Sequence, residues 1–195
     1  MPRAAVFFDR DNTLIINDGY LGDPAGVILV PDAPAAVAKA RALGFAVVTV
    51  SNQSGVARGR FTELDVKAVD ARMDALLMQA DPRATIDRHE FCPYHPEAEI
   101  EQYRINSDLR KPRPGMILQA AHALDLDLPN SWLIGDSPRD IAAGKAAGCR
   151  AILVQMPDLP ISPAADVPAT VQPDYVARSL TEAVQLIEQN KKAQS

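Results

Sequence analysis

Three acidic residues follow apolar runs of the sequence. Asp9 and Asp11 stand two positions apart directly after the run AAVFF (residues 4–8), and Asp136 follows WLIG (residues 132–135). Carboxylate oxygens are the ligands that Mg2+ prefers in proteins. If the ends of these runs converge in the fold, the three carboxylates would form a magnesium site.

A serine and a lysine complete a set of side chains suited to a phosphoryl group. Ser51 follows the apolar run FAVVTV, and Lys111 lies in RKPRPG. A cation and a hydroxyl can bind the equatorial oxygens of a phosphoryl group while an aspartate attacks phosphorus. Acids two positions apart on an exposed strand are usually only solvated. Asp9 and Asp11 end a buried strand instead, which favours the functional interpretation.

The apolar runs predict the elements that position these side chains. AAVFF, FAVVTV, SWLIG and RAILV are typical of strands buried on both faces. PDAPAAVAKARALG, GMILQAAHAL and DIAAGKAAG are helical in pattern, so strands and helices alternate. This alternation predicts an α/β fold with a doubly wound, mostly parallel sheet and helices on both faces. Ligands of such sheets bind beyond the carboxyl ends of the strands, where the polar residues stand.

Two helices carry boundary signals in the first half of the chain. Asp32 is the predicted N-terminal cap of the first helix, and Gly44 is its predicted stop. Thr62 and Asp65 have the spacing of a capping box, which predicts a second helix running to about residue 81.

The C-terminal part of the chain is predicted to be irregular before it ends in a helix. Prolines recur between residues 157 and 173 and indicate an irregular surface segment. Ser179 and Glu182 have capping-box spacing at the start of a terminal helix. We predict one domain over residues 1–190 and a flexible tail over residues 191–195.

The composition excludes several classes of protein. The chain has 195 residues, of which 47% are hydrophobic and 23% charged, as expected for one globular domain. A net charge of -5 argues against a broad nucleic-acid interface. Two cysteines in unrelated contexts do not indicate a disulfide framework. No run has the pattern of a membrane span or a signal peptide, so we expect a cytoplasmic protein without membrane partners.

Four motifs carry a resemblance to a known family. In order along the chain, DRDNT, SNQSG, RKP and GDSPRD resemble the motifs of the haloacid dehalogenase superfamily of aspartate-nucleophile phosphatases. Within that superfamily, NDGY, NQSGVARG, CPYHP and RKPRPGM are similar to strings of the heptose bisphosphate phosphatases and the related histidinol-phosphate phosphatases. The match spans roughly residues 4 to 154.

The resemblance implies a role for each motif residue. Asp9 would be the nucleophile, and Asp11 would protonate the leaving group and then accept a proton from water. Ser51 and Lys111 would bind the transferring phosphoryl group. Asp9, the backbone carbonyl of Asp11, and Asp136 would hold Mg2+.

The resemblance also implies a set of substrate-binding residues on loops. They are Asn17, Asp18, Gly19, Tyr20, Asn52, Gln53, Ser54 and Arg110. For the NDGY loop the alternative is an ordinary surface turn, since its residue types also favour turns.

Four further residues stand near the motifs. Asn12 replaces the glycine usual at its position, and Asn tolerates positive φ well enough for the turn to survive. Asp140 is more simply an acid at a helix N-terminus than a metal ligand. His89 and His122 have no partner pattern, and His122 is most simply a packing or surface residue.

A predicted loop contains one half of a possible zinc site, Cys92 with His95. The resembling family commonly holds a structural zinc here, but Tyr94, Ser107 and Leu109 stand at three of its four ligand positions. Structural zinc needs four nitrogen or sulfur ligands. We therefore expect no structural zinc, and we expect Tyr94 and Leu109 to pack together instead.

The resemblance implies a Mg2+-dependent phosphatase that removes the 7-phosphate of D-glycero-D-manno-heptose 1,7-bisphosphate through an aspartyl-phosphate. The reaction would serve bacterial heptose biosynthesis, for the lipopolysaccharide core or a nucleotide-linked heptose. Alternatives are a histidinol-phosphate phosphatase and a non-catalytic binding module. The module is disfavoured because the motif residues are all in place. No long insertion follows the first two predicted strands, so we expect no large cap domain, and we expect a monomer.

Overall fold

A six-stranded parallel sheet forms the centre of the molecule. The structure, a computed structural model, describes residues 2–157, 159, 167 and 171–193. The strands of the sheet are β1 (Ala5–Phe8), β4 (Ala46–Asn52), β5 (Arg88–Cys92), β6 (Trp132–Gly135), β7 (Arg150–Val154) and β8 (Tyr175–Ala177). Their order is β5-β4-β1-β6-β7-β8. A small antiparallel hairpin of β2 (Ile15–Ile16) and β3 (Ile28–Leu29) follows β1.

Helices cover both faces of the sheet. They are α1 (Ala33–Ala42), α2 (Ser54–Ala57), α3 (Glu63–Ala80), α4 (Gly115–Leu124), α5 (Pro138–Ala146) and α6 (Leu180–Ala193). Short 3-10 turns occupy Pro24–Gly26, Glu101–Tyr103 and Leu128–Asn130. The predicted doubly wound α/β fold is confirmed.

Two hydrophobic cores lie on opposite faces of the sheet because side chains alternate along a strand. Val6 and Phe8 of β1 belong to the core packed under α1, α3 and α6. Ala5 and Phe7 belong to the core packed under α4 and α5. All four side chains are fully buried, which accounts for the continuous apolar run at β1.

The helix boundaries test the capping predictions. The capping box of Thr62 and Asp65 is present at the start of α3, and Gly44 has φ 92° after α1, so both predictions are confirmed. Asp32 stands at the N-cap position of α1 as predicted, but its side chain makes no capping hydrogen bond there. Its carboxylate accepts instead from the backbone N–H of Thr181 at 2.8 Å, a contact across 149 positions of sequence.

The terminal helix differs from the prediction in two details. Ser179 Oγ accepts from Glu182 N as expected, but the Glu182 carboxylate accepts from Arg178 N. Helix α6 continues through Ala193, so residues 191–193 of the predicted tail are helical. Most of the predicted irregular segment, including Pro160, Pro163 and Pro168, lies outside the described residues.

Edge strand β5 was missed by the sequence analysis because three of its residues, Arg88, His89 and Glu90, are charged or polar. Its polar side chains have partners in the fold. Thr49 Oγ1 lies 2.8 Å from His89 Nδ1, and Asp74 Oδ2 on α3 lies 3.0 Å from His89 Nε2. His89 therefore ties β5 and β4 to α3. No helix among the described residues is both long and apolar enough to cross a membrane.

The His89 contacts predict a pH dependence of stability. Burial lowers the pKa of His89, but the hydrogen bond to Asp74 and the charges of Asp70 and Asp74 outweigh burial and raise that pKa above its ordinary value. The stabilisation is therefore full below the unfolded pKa of about 6.5 and is lost as pH rises through the folded-state pKa. His89→Gln should lower the free energy of unfolding more at about pH 6 than at about pH 9, by about 1 kcal/mol.

Urea unfolding at the two pH values measures this difference. The exposed His122→Gln variant is the matched control and should show no such pH dependence. Equal losses of stability for His89→Gln at both pH values would contradict the assignment.

Candidate active site

The carboxyl ends of three neighbouring strands bring the predicted catalytic residues together. Asp9 follows β1, and its N–H continues the ladder by donating to Ile134 O at 2.9 Å. Ser51 lies near the end of β4, and Asp136 follows β6. Since β1 lies between β4 and β6, all three side chains meet at the carboxyl end of the sheet.

The turn after Asp9 depends on Asn12. Its φ of 55° confirms the expectation that asparagine can take the position where glycine is usual. The Asn12 side chain also accepts from Asn17 N at 3.0 Å, which ties the turn to the following loop.

Lys111 is the cation at the centre of the site. Its side chain is only 4% exposed, and Nζ lies 2.6 Å from a carboxylate oxygen of Asp9 and 2.6 Å from one of Asp140. It also donates to Val50 O at 2.7 Å. The Asn52 side chain holds the Lys111 backbone, because it donates to Lys111 O and accepts from Lys111 N, both at 3.0 Å.

The acids of the site outnumber this cation. Burial lowers the pKa of Lys111, but Asp140 and Asp9 raise it above its usual range, so Lys111 stays charged. Burial raises the pKa of Asp9 well above its usual value despite the opposing charge of Lys111, and Asp140, Asp136 and Asp11 raise it further. The carboxylates of Asp9, Asp136 and Asp140 thus converge around one ammonium group.

The donor set fits a divalent cation. Asp9, Asp136 and Asp140 each place a carboxylate oxygen within 4.8 Å of the others. In the described part of the chain, these three residues are the group of side chains that could hold a metal ion. Both Asp140 oxygens are already engaged, one by Lys111 and one by the N–H of Ser137 at 3.0 Å. Oxygen-only carboxylate donors suit Mg2+, so these three residues are the candidates to bind it.

Asp140 has a larger part in the site than the sequence analysis gave it. The expected role at the helix N-terminus is present, since Asp140 and Ser137 form a capping box at the start of α5. The ion pair with Lys111 was missed. A signal was available in the sequence, because Asp140 follows Asp136 by four positions at a strand end. Only the fold shows that a distant loop brings Lys111 to Asp140.

Asp11 is surrounded by hydrogen-bond donors. Its carboxylate accepts from Asn17 Nδ2 at 2.9 Å, Gln53 Nε2 at 2.7 Å and Ser51 Oγ at 3.3 Å. Arg10 Nη2 lies 3.3 Å from both of its oxygens. These contacts fix the carboxylate in the site, beside Ser51.

A cavity of about 290 Å3 opens over these residues. Among its lining residues are all but one of the predicted site residues, namely Asp9, Asp11, Asn17, Gly19, Tyr20, Ser51, Asn52, Gln53, Ser54, Arg110, Lys111 and Asp136. Asp18 is exposed and does not line the cavity. Phe61 and Arg139 also line the cavity but were not predicted. Phe61 lies outside the four motifs, and Arg139 lies in GDSPRD at a position that was given no role.

The loop that resembles a zinc site is held by other contacts. The Cys92 thiol lies 3.8 Å from Tyr94 O, and the His95 ring accepts from Glu97 N at 3.1 Å. Tyr94 and Leu109 each pack against the same hydrophobic core. An unforeseen contact adds to this, since the rings of Tyr94 and Tyr103 lie 6.1 Å apart.

Comparisons with known proteins agree with this geometry. The sequence model of the HAD-hydrolase-like family matches residues 108–183. The chain is 35% identical to the D-glycero-beta-D-manno-heptose-1,7-bisphosphate 7-phosphatase of Escherichia coli strain K12, over 96% of this chain and 95% of that protein. It is 44% identical to the enzyme of the same name from Rhodopseudomonas palustris, over 75% of this chain and 80% of that protein.

The chain belongs to the heptose bisphosphate phosphatase family of the haloacid dehalogenase superfamily. It is a phosphatase, a hydrolase of phosphoric monoesters. A solved structure of D,D-heptose 1,7-bisphosphate phosphatase from B. bronchiseptica, complexed with magnesium and phosphate, has a TM-score of 0.76 and 27% identity and covers 96% of this chain and 99% of that one.

Gly135 allows Asp140 to reach Lys111. A Cβ at Gly135 would lie 2.5 Å from the Asp140 Cβ and Cγ atoms, so Gly135→Ala must displace the carboxylate. We expect the kcat of the phosphatase to fall about 10- to 100-fold, because small displacements of catalytic groups are costly. Overpacking should also lower the free energy of unfolding by about 1–3 kcal/mol.

Gly144→Ala is the matched control for this prediction. A Cβ there would lie 2.9 Å from Leu133 Cβ in the core, away from the catalytic residues. The free energy of unfolding of Gly144→Ala should fall by no more than that of Gly135→Ala, and its kcat should be retained. A kcat for Gly135→Ala equal to that of Gly144→Ala, in assays well below both melting temperatures, would contradict the role of Gly135.

Proposed function

We propose that this phosphatase removes the 7-phosphate of D-glycero-D-manno-heptose 1,7-bisphosphate, in bacterial heptose biosynthesis. The observation that carries the proposal is the alignment of nearly the whole chain with relatives named for this reaction, with Asp9, Asp11, Ser51 and Lys111 meeting in one cavity. The acting unit is proposed to be a monomer with one domain over residues 1–190. In support, these four side chains all come from a single chain.

Asp9 is the proposed nucleophile. Its carboxylate oxygen forms a bond to phosphorus while the bond from phosphorus to the sugar oxygen breaks, which gives an aspartyl-phosphate. Lys111 orients the Asp9 carboxylate and offsets its charge. Ser51 binds a phosphoryl oxygen.

Asp11 is the proposed acid and base. As an acid it gives its proton to the departing sugar oxygen. In the second step it takes a proton from water as that water attacks phosphorus, the bond from phosphorus to Asp9 breaks, and inorganic phosphate leaves. Gln53 and Asn17 hold the Asp11 carboxylate at the required place.

Mg2+ is the proposed cofactor. Asp9, Asp136 and the backbone carbonyl of Asp11 would hold it. Bound there, Mg2+ supplies positive charge that offsets the repulsion between the acids and a phosphate. The convergence of the Asp9, Asp136 and Asp140 carboxylates supports this assignment, because oxygen ligands of this kind suit Mg2+.

Charge distinguishes the two candidate substrates. Arg110 and Arg139 both line the cavity beside the catalytic residues. A sugar bisphosphate keeps a second phosphate after reaction, which two guanidinium groups attract. Histidinol phosphate carries an amine in its leaving group, which they repel. The bisphosphate is therefore the proposed substrate.

Phosphate release from heptose 1,7-bisphosphate and from histidinol phosphate, measured side by side with Mg2+, tests the substrate. We expect at least about 100-fold higher kcat/KM for the bisphosphate, since placing like charges next to each other costs several kcal/mol. Asp9→Asn should abolish turnover of both. Preference for histidinol phosphate would overturn the substrate, and turnover by Asp9→Asn would overturn the mechanism.

The role of Arg110 has its own test. Loss of a charged hydrogen bond to the second phosphate should lower kcat/KM of Arg110→Met for heptose bisphosphate about 10- to 100-fold. Turnover of p-nitrophenyl phosphate, which has no second phosphate, should change little. Equal losses for the two substrates would show that Arg110 acts at the transferring phosphate.

The Cys92 loop is proposed to work without zinc. Its support is the set of contacts made by Cys92, His95 and Tyr94, each of which has a partner in the loop. Elemental analysis of the purified protein should give far less than one zinc per chain. A zinc-selective chelator should leave the Mg2+-dependent activity in place, and loss of activity together with one equivalent of released zinc would contradict this.

A further inference from the structure

We propose that Arg10 and Asp70 are positioning residues for Asp11, which they link to helix α3. The inference rests on the proposed acid–base role of Asp11. Arg10 stands between the two catalytic aspartates in sequence, but it does not line the cavity.

The geometry of Arg10 joins two carboxylates. Its side chain is 1% exposed, and Nη2 lies 3.3 Å from each oxygen of Asp11. Its Nη1 lies 2.9 Å from Asp70 Oδ1. The planar guanidinium is a rigid fork, so fixing one arm on Asp70 fixes the direction of the other.

Helix α3 provides a fixed anchor for this fork. Asp70 is itself buried, and its helix neighbours Val69 and Met73 are fully buried in the core that also contains Val6 and Phe8 of β1. The strand that carries Asp9 and the helix that carries Asp70 therefore belong to one packed unit. Arg10 transmits the position of that unit to the Asp11 carboxylate.

The other contacts of Asp11 differ from this one in kind. Asn17, Ser51 and Gln53 all line the cavity, so substrate can compete for their hydrogen bonds. Arg10 approaches Asp11 from the protein interior and keeps its contact when substrate binds. It is thus suited to hold Asp11 in place through both proton transfers.

Stability alone does not account for this buried pair. Two charges taken out of water contribute little net stability, and apolar replacements of similar volume are often as stable. A positioning role also makes a prediction that a structural role does not make. A misplaced Asp11 fails to protonate the leaving oxygen, which affects poor leaving groups and spares good ones.

The test measures kcat/KM for three phosphomonoesters with different leaving groups: propyl, phenyl and p-nitrophenyl phosphate. This parameter reports the steps through departure of the leaving group, and p-nitrophenolate departs without a proton. For Arg10→Met and Asp70→Asn, kcat/KM for propyl phosphate should fall about 10- to 100-fold more than for p-nitrophenyl phosphate. Arg10→Lys, which keeps the charge, should lie between Arg10→Met and the unmodified protein.

Two controls define the scale. Asp11→Asn removes the proposed acid, so it gives the largest expected difference in kcat/KM between propyl and p-nitrophenyl phosphate. Arg41→Met removes a similar arginine–aspartate pair, with Asp87 at 2.8 Å, at the opposite end of β4, and should leave the ratio between substrates unchanged even where stability falls. Asp70→Asn keeps the size of the side chain and is the variant to rely on if Arg10→Met does not fold.

The outcomes distinguish the positioning role of Arg10 and Asp70 from the proposed heptose substrate and the proposed acid–base role of Asp11. The substrates contain no heptose, so a wrong sugar substrate does not affect the result. No leaving-group dependence in Asp11→Asn would overturn the role of Asp11 and this inference with it. Dependence in Asp11→Asn, with equal losses for all three substrates in the Arg10 and Asp70 variants, would overturn the positioning role alone.

Discussion

The buried ammonium group of Lys111 is the contact on which the site depends. It lies 2.6 Å from both Asp9 and Asp140. Asp9 directly follows β1, Lys111 lies in a loop, and Asp140 lies in the first turn of α5. A charge removed from water is tolerated only when partners surround it. The ion pairs therefore hold three separate segments of the chain in a fixed relation, and other features of the site serve this arrangement. Asn52 clamps the Lys111 backbone, and Gly135 leaves room for Asp140.

Charge imbalance then gives the site its chemistry. Three carboxylates, those of Asp9, Asp136 and Asp140, converge around the single ammonium group of Lys111. These carboxylates suit a divalent cation, and a cation bound there would help the site to accept a phosphate. Asp11 is compensated separately, because Arg10 pairs it from the interior and carries a second contact to Asp70. Asp9, the proposed nucleophile, and Asp11, the proposed acid–base residue, thus have different counter-ions, although they stand two positions apart.

Local patterns made much of the fold predictable from the sequence. A strand buried on both faces must be apolar throughout, so AVFF and WLIG were recognisable, and the polar residues that follow them marked the site. The capping box of Thr62 and Asp65 involves residues three positions apart, and it formed as predicted. Strand β5 was missed because its polar residues are satisfied by partners such as Asp74, which no local pattern reveals.

Long-range contacts account for the remaining differences. Asp32 has the residue type of a helix cap, yet its carboxylate binds the backbone of Thr181, far along the chain. Asp140 was predicted as a helix-end acid, and its second role toward Lys111 exists only because the fold brings a distant loop to it. Sequence identifies which side chains can do chemistry; which partners they have is decided by tertiary structure.

Mg2+ binding to Lys111→Met measures the balance of charge at Lys111. Calorimetric titration should show one Mg2+ per chain in the unmodified protein. Removal of the lysine leaves the acids more negative, so Lys111→Met should bind Mg2+ at least as tightly while kcat falls about 100-fold or more. Loss of Mg2+ binding together with activity, in a variant whose circular dichroism and unfolding midpoint show an intact fold, would contradict the proposed charge balance.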